Sequence, residues 1–286
     1  PYGFEYARLE VPNVKEATDF YEYHVGLTVV DSEVDRVTLR AALDHHCLEL
    51  RENPALTDMK VLALGFSTEN QATLSDLKER VEEAGFPTGP IDDRMKQVVT
   101  DGFSTVDPSG FTLELVHELQ VFAEPPFVEI RPVDIIHPFL ATPHFDESLQ
   151  FYTEVLGFLP SDYIALQSAF LRGEDRYHHS IAMRRAESVE LAHLCFCMKS
   201  FDHVMRSFAK ARYKRVPTGP GVVNHSASGS IAFYMEVPRF GPLIELCDGH
   251  IVFSPEEHED HVPRRMSADP RNIDVWRAAA DDWGLI

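Results

Sequence analysis

The apolar positions of the chain recur with two different periods. Leu74, Leu77, Val81 and Ala84 return every three or four residues, as do Leu149, Tyr152 and the pair Val155 and Leu156. This spacing predicts two helices, the second capped by Asp146. Between such stretches lie short runs, among them VDIIHPFLAT (133–142), AHLCFCM (192–198) and SIAFYMEV (230–237). They are rich in β-branched or aromatic residues and bounded by turn formers, which predicts strands. Each half of the chain reads strand, helix, strands, and then the same again. The expected class is α+β, with mixed sheets curled around a pocket.

The two halves also repeat. Val11 to Leu27 aligns with Thr142 to Phe158, matching Pro12 with Pro143, Phe20 and Tyr21 with Phe151 and Tyr152, and Gly26 with Gly157. The tetrapeptide PTGP occurs at 87–90 and at 217–220, and LEL at 113–115 returns as IEL at 244–246. Three separated matches at nearly one offset indicate a duplicated structural unit. Pro125, Pro126 and Pro132 discourage regular structure around Val121 to Arg131. The expected modules are therefore residues 1–120 and 131–252, followed by a tail, 253–286. In that tail PEEHEDHVPRR reads as a solvated charged face, and NIDVWRAAADDWGLI as an amphipathic segment packed back on the body.

Composition narrows the function classes. With 46 acidic against 26 basic side chains the 286-residue chain carries a formal charge of -20, which repels phosphate backbones and anionic headgroups. Nucleic acid and membrane are thus not expected as partners. No run reaches the roughly 18 apolar residues that span a bilayer, and PYGFEYARLE lacks the layout of a signal peptide; the expected location is the cytoplasm. Cys47, Cys195, Cys197 and Cys247 lie in apolar strand-like segments without a CxxC pair, so they read as reduced and structural.

Across the repeat, His137 aligns with Tyr6, His193 with Leu64 and Glu245 with Glu114. Only the second copy can build a site of two histidines and one carboxylate. A lone histidine in an apolar strand is ordinarily a satisfied core residue. Two histidines and a glutamate on three homologous strands are a different matter. Such a set leaves neighbouring coordination positions open and suits oxygen chemistry at non-haem Fe(II).

The segments DIIHPFLAT, YHHSIAM, LAHLCFCM, NHSASGSIAFYMEV and LIEL occur in that order. Together they resemble the type I extradiol dioxygenases of the vicinal oxygen chelate superfamily, the 2,3-dihydroxybiphenyl and catechol 2,3-dioxygenases, over nearly the whole chain. The resemblance implies two tandem modules of paired βαβββ units, the first without metal ligands and the second catalytic. It implies Fe(II), or alternatively Mn(II), on His137, His193 and Glu245, and a small aromatic diol and O2 as substrates. By the same resemblance His179 assists oxygen activation and proton transfer, with His178 as its rival and possible substrate contact. His225 and Tyr234 bind the catecholate, Phe170, Phe196 and Met198 are candidates for an apolar slot, and a homo-oligomer is expected. The chain departs from the family pattern at Ser228 and Gly229, where an acidic residue and a second histidine are common. Two alternatives stand beside this reading: a hydroquinone dioxygenase or glyoxalase-like isomerase with the same ligands, and a metal-free protein that binds an aromatic ligand.

Overall fold

The computed structural model describes residues 1–219 and 221–276. Each half contains two βαβββ units, as expected. In the first half, strand Phe4–Val11 leads through helix Val14–Phe20 to strands Thr28–Ser32, Arg36–Arg40 and Leu48–Glu52. Lys60–Thr68 then leads through helix Gln71–Glu83 to Thr88–Pro90, Val99–Val106 and Thr112–Leu119. Within each unit the first strand pairs parallel with the last, and the two units join antiparallel along Phe4–Val11 and Lys60–Thr68. The result is one eight-stranded mixed sheet.

The second half repeats this scheme. Strand Pro132–Thr142 pairs parallel with Ile181–Arg185, Glu190–Met198 pairs parallel with Leu243–Asp248, and the two units meet antiparallel along Pro132–Thr142 and Glu190–Met198. Strands Leu159–Ile164, Ser168–Arg172, Val222–Asn224 and Ile231–Met235 complete the units, and helix Phe201–Tyr213 connects the second.

Local sequence accounts for the helix starts. Asn13, Asn70 and Ser200 sit extended at the N-caps and accept from the backbone N–H three residues on. The helix Phe145–Gln150 is different. His144 is its N-cap and makes no side-chain cap bond, and Asp146, the expected cap, lies in the first turn and pairs with Arg185. Leu74, Leu77 and Val81 are buried as the period requires, while Ala84 ends its helix exposed.

Both sheets turn one face toward a shared core that holds Leu9, Leu64, Phe66, Phe151, Phe196, Phe233 and Leu246. The repeated helices reach across it. Tyr152 donates to Asp107 Oδ2 (2.9 Å), and its counterpart Tyr21 donates to the Phe240 carbonyl (3.4 Å). At Gly241 a Cβ would lie 2.0 Å from the Tyr21 hydroxyl, so that contact requires glycine.

The C-terminal segment is more than a solvated tail. Arg264–Met266 adds a ninth strand to the second sheet, parallel to Leu159–Ile164. In the helix Pro255–Asp260, His258 is buried and accepts from Arg172 Nε (3.2 Å), and His261 Nε2 donates to the Ser161 carbonyl (2.7 Å). The acidic residues read as solvated are exposed, but the histidines between them dock the segment. Residues 277–286, most of the expected amphipathic end, lie outside the described residues, as does Pro220 of the second PTGP.

Candidate metal centre and pocket

Strand alternation decides which side chains face the pocket. On Glu190–Met198, Leu194, Phe196 and Met198 enter the shared core, and His193 points to the opposite face. The same parity sends Ile244 and Leu246 inward and leaves Glu245 on the pocket side, next to Tyr234 across the strand pair. Phe196 and Met198 are therefore core residues and do not line this pocket, contrary to expectation. The parity of the strand already carried that information.

His137, His193 and Glu245 come from three adjacent strands and are 1 %, 6 % and 3 % exposed. His137 Nε2 lies 3.2 Å from His193 Nε2, and Glu245 Oε2 lies 3.5 Å and 3.1 Å from these two nitrogens. Donor atoms held at right angles about 2.1 Å from one ion stand about 3 Å apart, so these spacings fit three adjacent corners around a single cation. The protonation states fit as well. Burial pushes the His137 pKa down to about 4, which leaves a neutral imidazole. Burial opposes the Glu245 charge, but the hydrogen bonds of His137, His193 and His225 outweigh it and hold the carboxyl well below its usual range.

The remaining expected residues gather around this centre. His179 Nε2 is 3.2 Å from His137 Nε2. His225 Nε2 lies 2.8 Å from the Tyr234 hydroxyl and 3.4 Å from Glu245 Oε1, and its Nδ1 donates to the Ile273 carbonyl (3.1 Å). Burial works to lower the His225 pKa, yet the neighbouring Glu245 lifts it above the ordinary value. Burial and the Glu245 charge keep Tyr234 a neutral phenol. These side chains open on a pocket lined on its apolar side by Phe139, Ile164 and Phe170.

His178, read as a rival to His179, turns away from the pocket and binds Asp162 (2.8 Å). Sequence reasoning missed three further features. Asn272 and Ile273 of the C-terminal segment line the pocket, and Ser226 donates to the Asn272 carbonyl. His250 packs against His179 and His137 at ring separations of 4.7 and 5.6 Å, and neither of its ring nitrogens finds a partner among the described residues. It sits in a turn past Glu245, where no periodicity marks it. The His178 and His179 pair also has a first-module counterpart, His45 and His46, with the same Nδ1 to Nδ1 separation of 3.0 Å.

The register between strands corrects the alignment of the two modules by one residue. Tyr6 stands opposite Gly65 and Gly65 beside Glu114, just as His137 stands opposite Cys195 and Cys195 beside Glu245. Arg8 faces Ala63 as Phe139 faces His193. The first-module equivalent of His193 is thus Ala63. Leu64 points into the core.

Comparison with known proteins agrees with this architecture. The chain is 27% identical over 235 residues to an iron-dependent extradiol dioxygenase of Rhodococcus jostii, covering 74% of this chain and 75% of that protein. It is 23% identical over 280 residues to a manganese-dependent 2,3-dihydroxybiphenyl 1,2-dioxygenase of Geobacillus genomosp. 3, covering 88% and 87%. Among solved structures, a Mn(II)-bound glyoxalase from Novosphingobium aromaticivorans superposes with a TM-score of 0.85 at 23% identity, over 96% of this chain and 90% of that one. The family model for this fold matches residues 3–115 and again 134–234. The chain belongs to the glyoxalase/bleomycin resistance protein/dioxygenase superfamily.

Proposed function

We propose that this chain is an extradiol dioxygenase that opens a catechol-type aromatic diol with O2 at a single metal ion held by His137, His193 and Glu245. One observation carries the reading. Two imidazoles and one carboxylate converge at spacings suited to one cation, in the same pocket as His179 and the hydrogen-bonded pair His225 and Tyr234. Iron(II) is the ion we assign, with manganese(II) as the alternative, because the ligand set accepts both and similar dioxygenases are named for each. A bound Fe(II) supplies adjacent open positions for diol and O2 and lowers the pKa of the coordinated diol.

The chain's own residues do the rest. Tyr234 and His225 donate to and orient the diol oxygens from one side. Phe139, Ile164 and Phe170 offer an apolar wall for the ring and keep bulk water out. His179, whose neutral form is favoured first by burial and then by His137, receives a diol proton at Nε2 and returns it as the ring opens. An isomerase working through the metal alone has no use for this set. Residues 1–120 then act as a scaffold module, and 131–252 as the catalytic one. Among the described residues no helix is long and apolar enough to cross a membrane. We place the protein in the cytoplasm, and the exposed Phe127, Val128 and Val133 support self-association into a homo-oligomer.

The test is oxygen uptake by anaerobically prepared, Fe(II)-loaded protein on adding catechol, 3-methylcatechol or 2,3-dihydroxybiphenyl in air. Oxygen consumed in step with a yellow ring-opened product is expected. Bound metal without uptake on any diol would turn the assignment to an isomerase or a hydroquinone enzyme, and a chain that takes up no metal would turn it to a binding protein.

A further inference from the structure

Behind His179 a hydrogen-bond chain leads from the pocket to a buried carboxylate. His179 Nδ1 lies 3.0 Å from His178 Nδ1, and His178 Nε2 lies 2.8 Å from Asp162 Oδ2. Asp162 is 0 % exposed, and Arg264 of the C-terminal strand surrounds the rest of it. The Arg264 backbone N (3.0 Å) and Nε (2.9 Å) donate to Oδ1, and Nη2 donates to Oδ2.

The protons in this chain follow from the inventory of donors. An ionised carboxylate can only accept, and a guanidinium can only donate. Burial opposes the Asp162 charge, but the bonds from His178 and Arg264 outweigh it and keep the carboxyl below its ordinary range. His178 must then present Nε2–H to Asp162. Burial favours its neutral form, so its Nδ1 carries the lone pair, and the facing His179 Nδ1 must be the donor. His179 Nε2 is left bare, on the side that lines the pocket.

The first module supplies an internal contrast. Asp31, His45 and His46 hold the places of Asp162, His178 and His179. There the Asp31 carboxylate is 62% exposed and 3.7 Å from His45 Nε2, and no arginine from the C-terminal segment reaches it among the described residues. The chain is tight only in the module with the candidate metal centre.

We propose that Asp162 and His178 are positioning residues that fix the tautomer of His179, so that its Nε2 meets the bound diol as a proton acceptor. The inference rests on the dioxygenase reading for its consequence in turnover, but the tautomer itself is observable without turnover. The same logic orients the catalytic histidine in Ser-His-Asp enzymes, where a buried carboxylate selects which ring nitrogen is protonated.

Nitrogen-15 NMR of histidine-labelled full-length protein, loaded with diamagnetic Zn(II), reads the tautomer of His179 directly. The expected result is the Nδ1–H form in the wild type and the Nε2–H form or a mixture in Asp162→Asn. A wild-type His179 protonated at Nε2 would overturn the proposal. In parallel, His178→Gln keeps an acceptor for His179 Nδ1–H and His178→Leu removes it. With Fe(II) and a diol, His178→Leu should lose roughly 10- to 100-fold in kcat, with metal content and KM retained, while His178→Gln stays near wild type. Equal losses in both, or none in either, would contradict it. A wild type that consumes no oxygen with any diol would sink the dioxygenase reading, and the NMR result would still decide the positioning one.

Discussion

The two modules place different chemistry on the same strand positions. In the second, His137, Phe139, His179, His193 and Glu245 border a pocket whose donor atoms face one another with no cation between them from the chain itself. In the first, the corresponding positions hold Tyr6, Arg8, His46, Ala63 and Glu114. There the Arg8 guanidinium lies 2.8 Å from Glu114, 2.7 Å from Asp92 and 3.3 Å from Glu49, and Tyr6 donates to Glu114 (2.9 Å). Gly65 leaves room for the Tyr6 ring, which a Cβ there would approach to 2.3 Å. The glutamate common to both modules faces Arg8 in one and three histidines in the other. In the first module a covalently attached cation, the Arg8 guanidinium, lies against the carboxylate whose counterpart in the second module faces the histidines and Tyr234.

The largest effect should come from removing that cation. Arg8→Met leaves Glu49 and Glu114 buried without their shared partner and should destabilise the protein by about 3–5 kcal/mol, read as a lower denaturant midpoint. Metal content and kcat per folded molecule should not change, since the second site is separate. Combining it with Glu114→Gln should restore part of the loss.

The Tyr152 contact breaks the symmetry in another way. Burial pushes Asp107 up to about 6, while the matching acceptor for Tyr21 is a carbonyl that cannot titrate. A carboxyl raised on folding binds more protons folded than unfolded, so stability should fall as pH rises from about 4 to about 6, by at most about 3 kcal/mol. Asp107→Asn should flatten that segment of the pH profile, as measured by denaturation at successive pH values.

Smaller effects sharpen the contrast within the second site. Where the first module has Ser104 beside Glu114, the second has Tyr234 beside Glu245. Tyr234→Phe should lower kcat/KM about tenfold or more with the metal retained. Phe170→Leu should raise KM for the diol a few-fold. Phe196→Leu, on the core face of its strand, should cost about 1 kcal/mol of stability and leave KM unchanged.

Much of this was legible in the chain, because its main features are periodic. The duplicated βαβββ units, the strands around His137, His193 and Tyr234, and the carboxylate common to both modules follow from alternation and from the repeat. The pairing of His193 with Leu64 departs by one residue from the spacing that PTGP already carries, which matches His193 with Ala63, and the register shifts at Arg8/Leu9 and Leu191/His193 fall at equivalent places in the two modules. Phe196 was misread although parity alone placed it opposite His193. His250, Asn272 and Ile273 were not legible. They lie in turns and in a C-terminal segment with no counterpart in the repeat, and tertiary contacts alone bring them to the pocket. Asp162 has a counterpart in the repeat, Asp31, but its partner Arg264 lies 102 positions away in the C-terminal segment and has none, so their contact was hidden.

The central claim is that the second module holds a metal ion and the first does not. Metal analysis of anaerobically prepared wild-type protein beside His193→Ala and Ala63→Ser tests it most directly. Near one ion per chain in the wild type and in Ala63→Ser, and none in a folded His193→Ala, is the predicted result; two ions per chain, or metal and activity retained in His193→Ala, would contradict it.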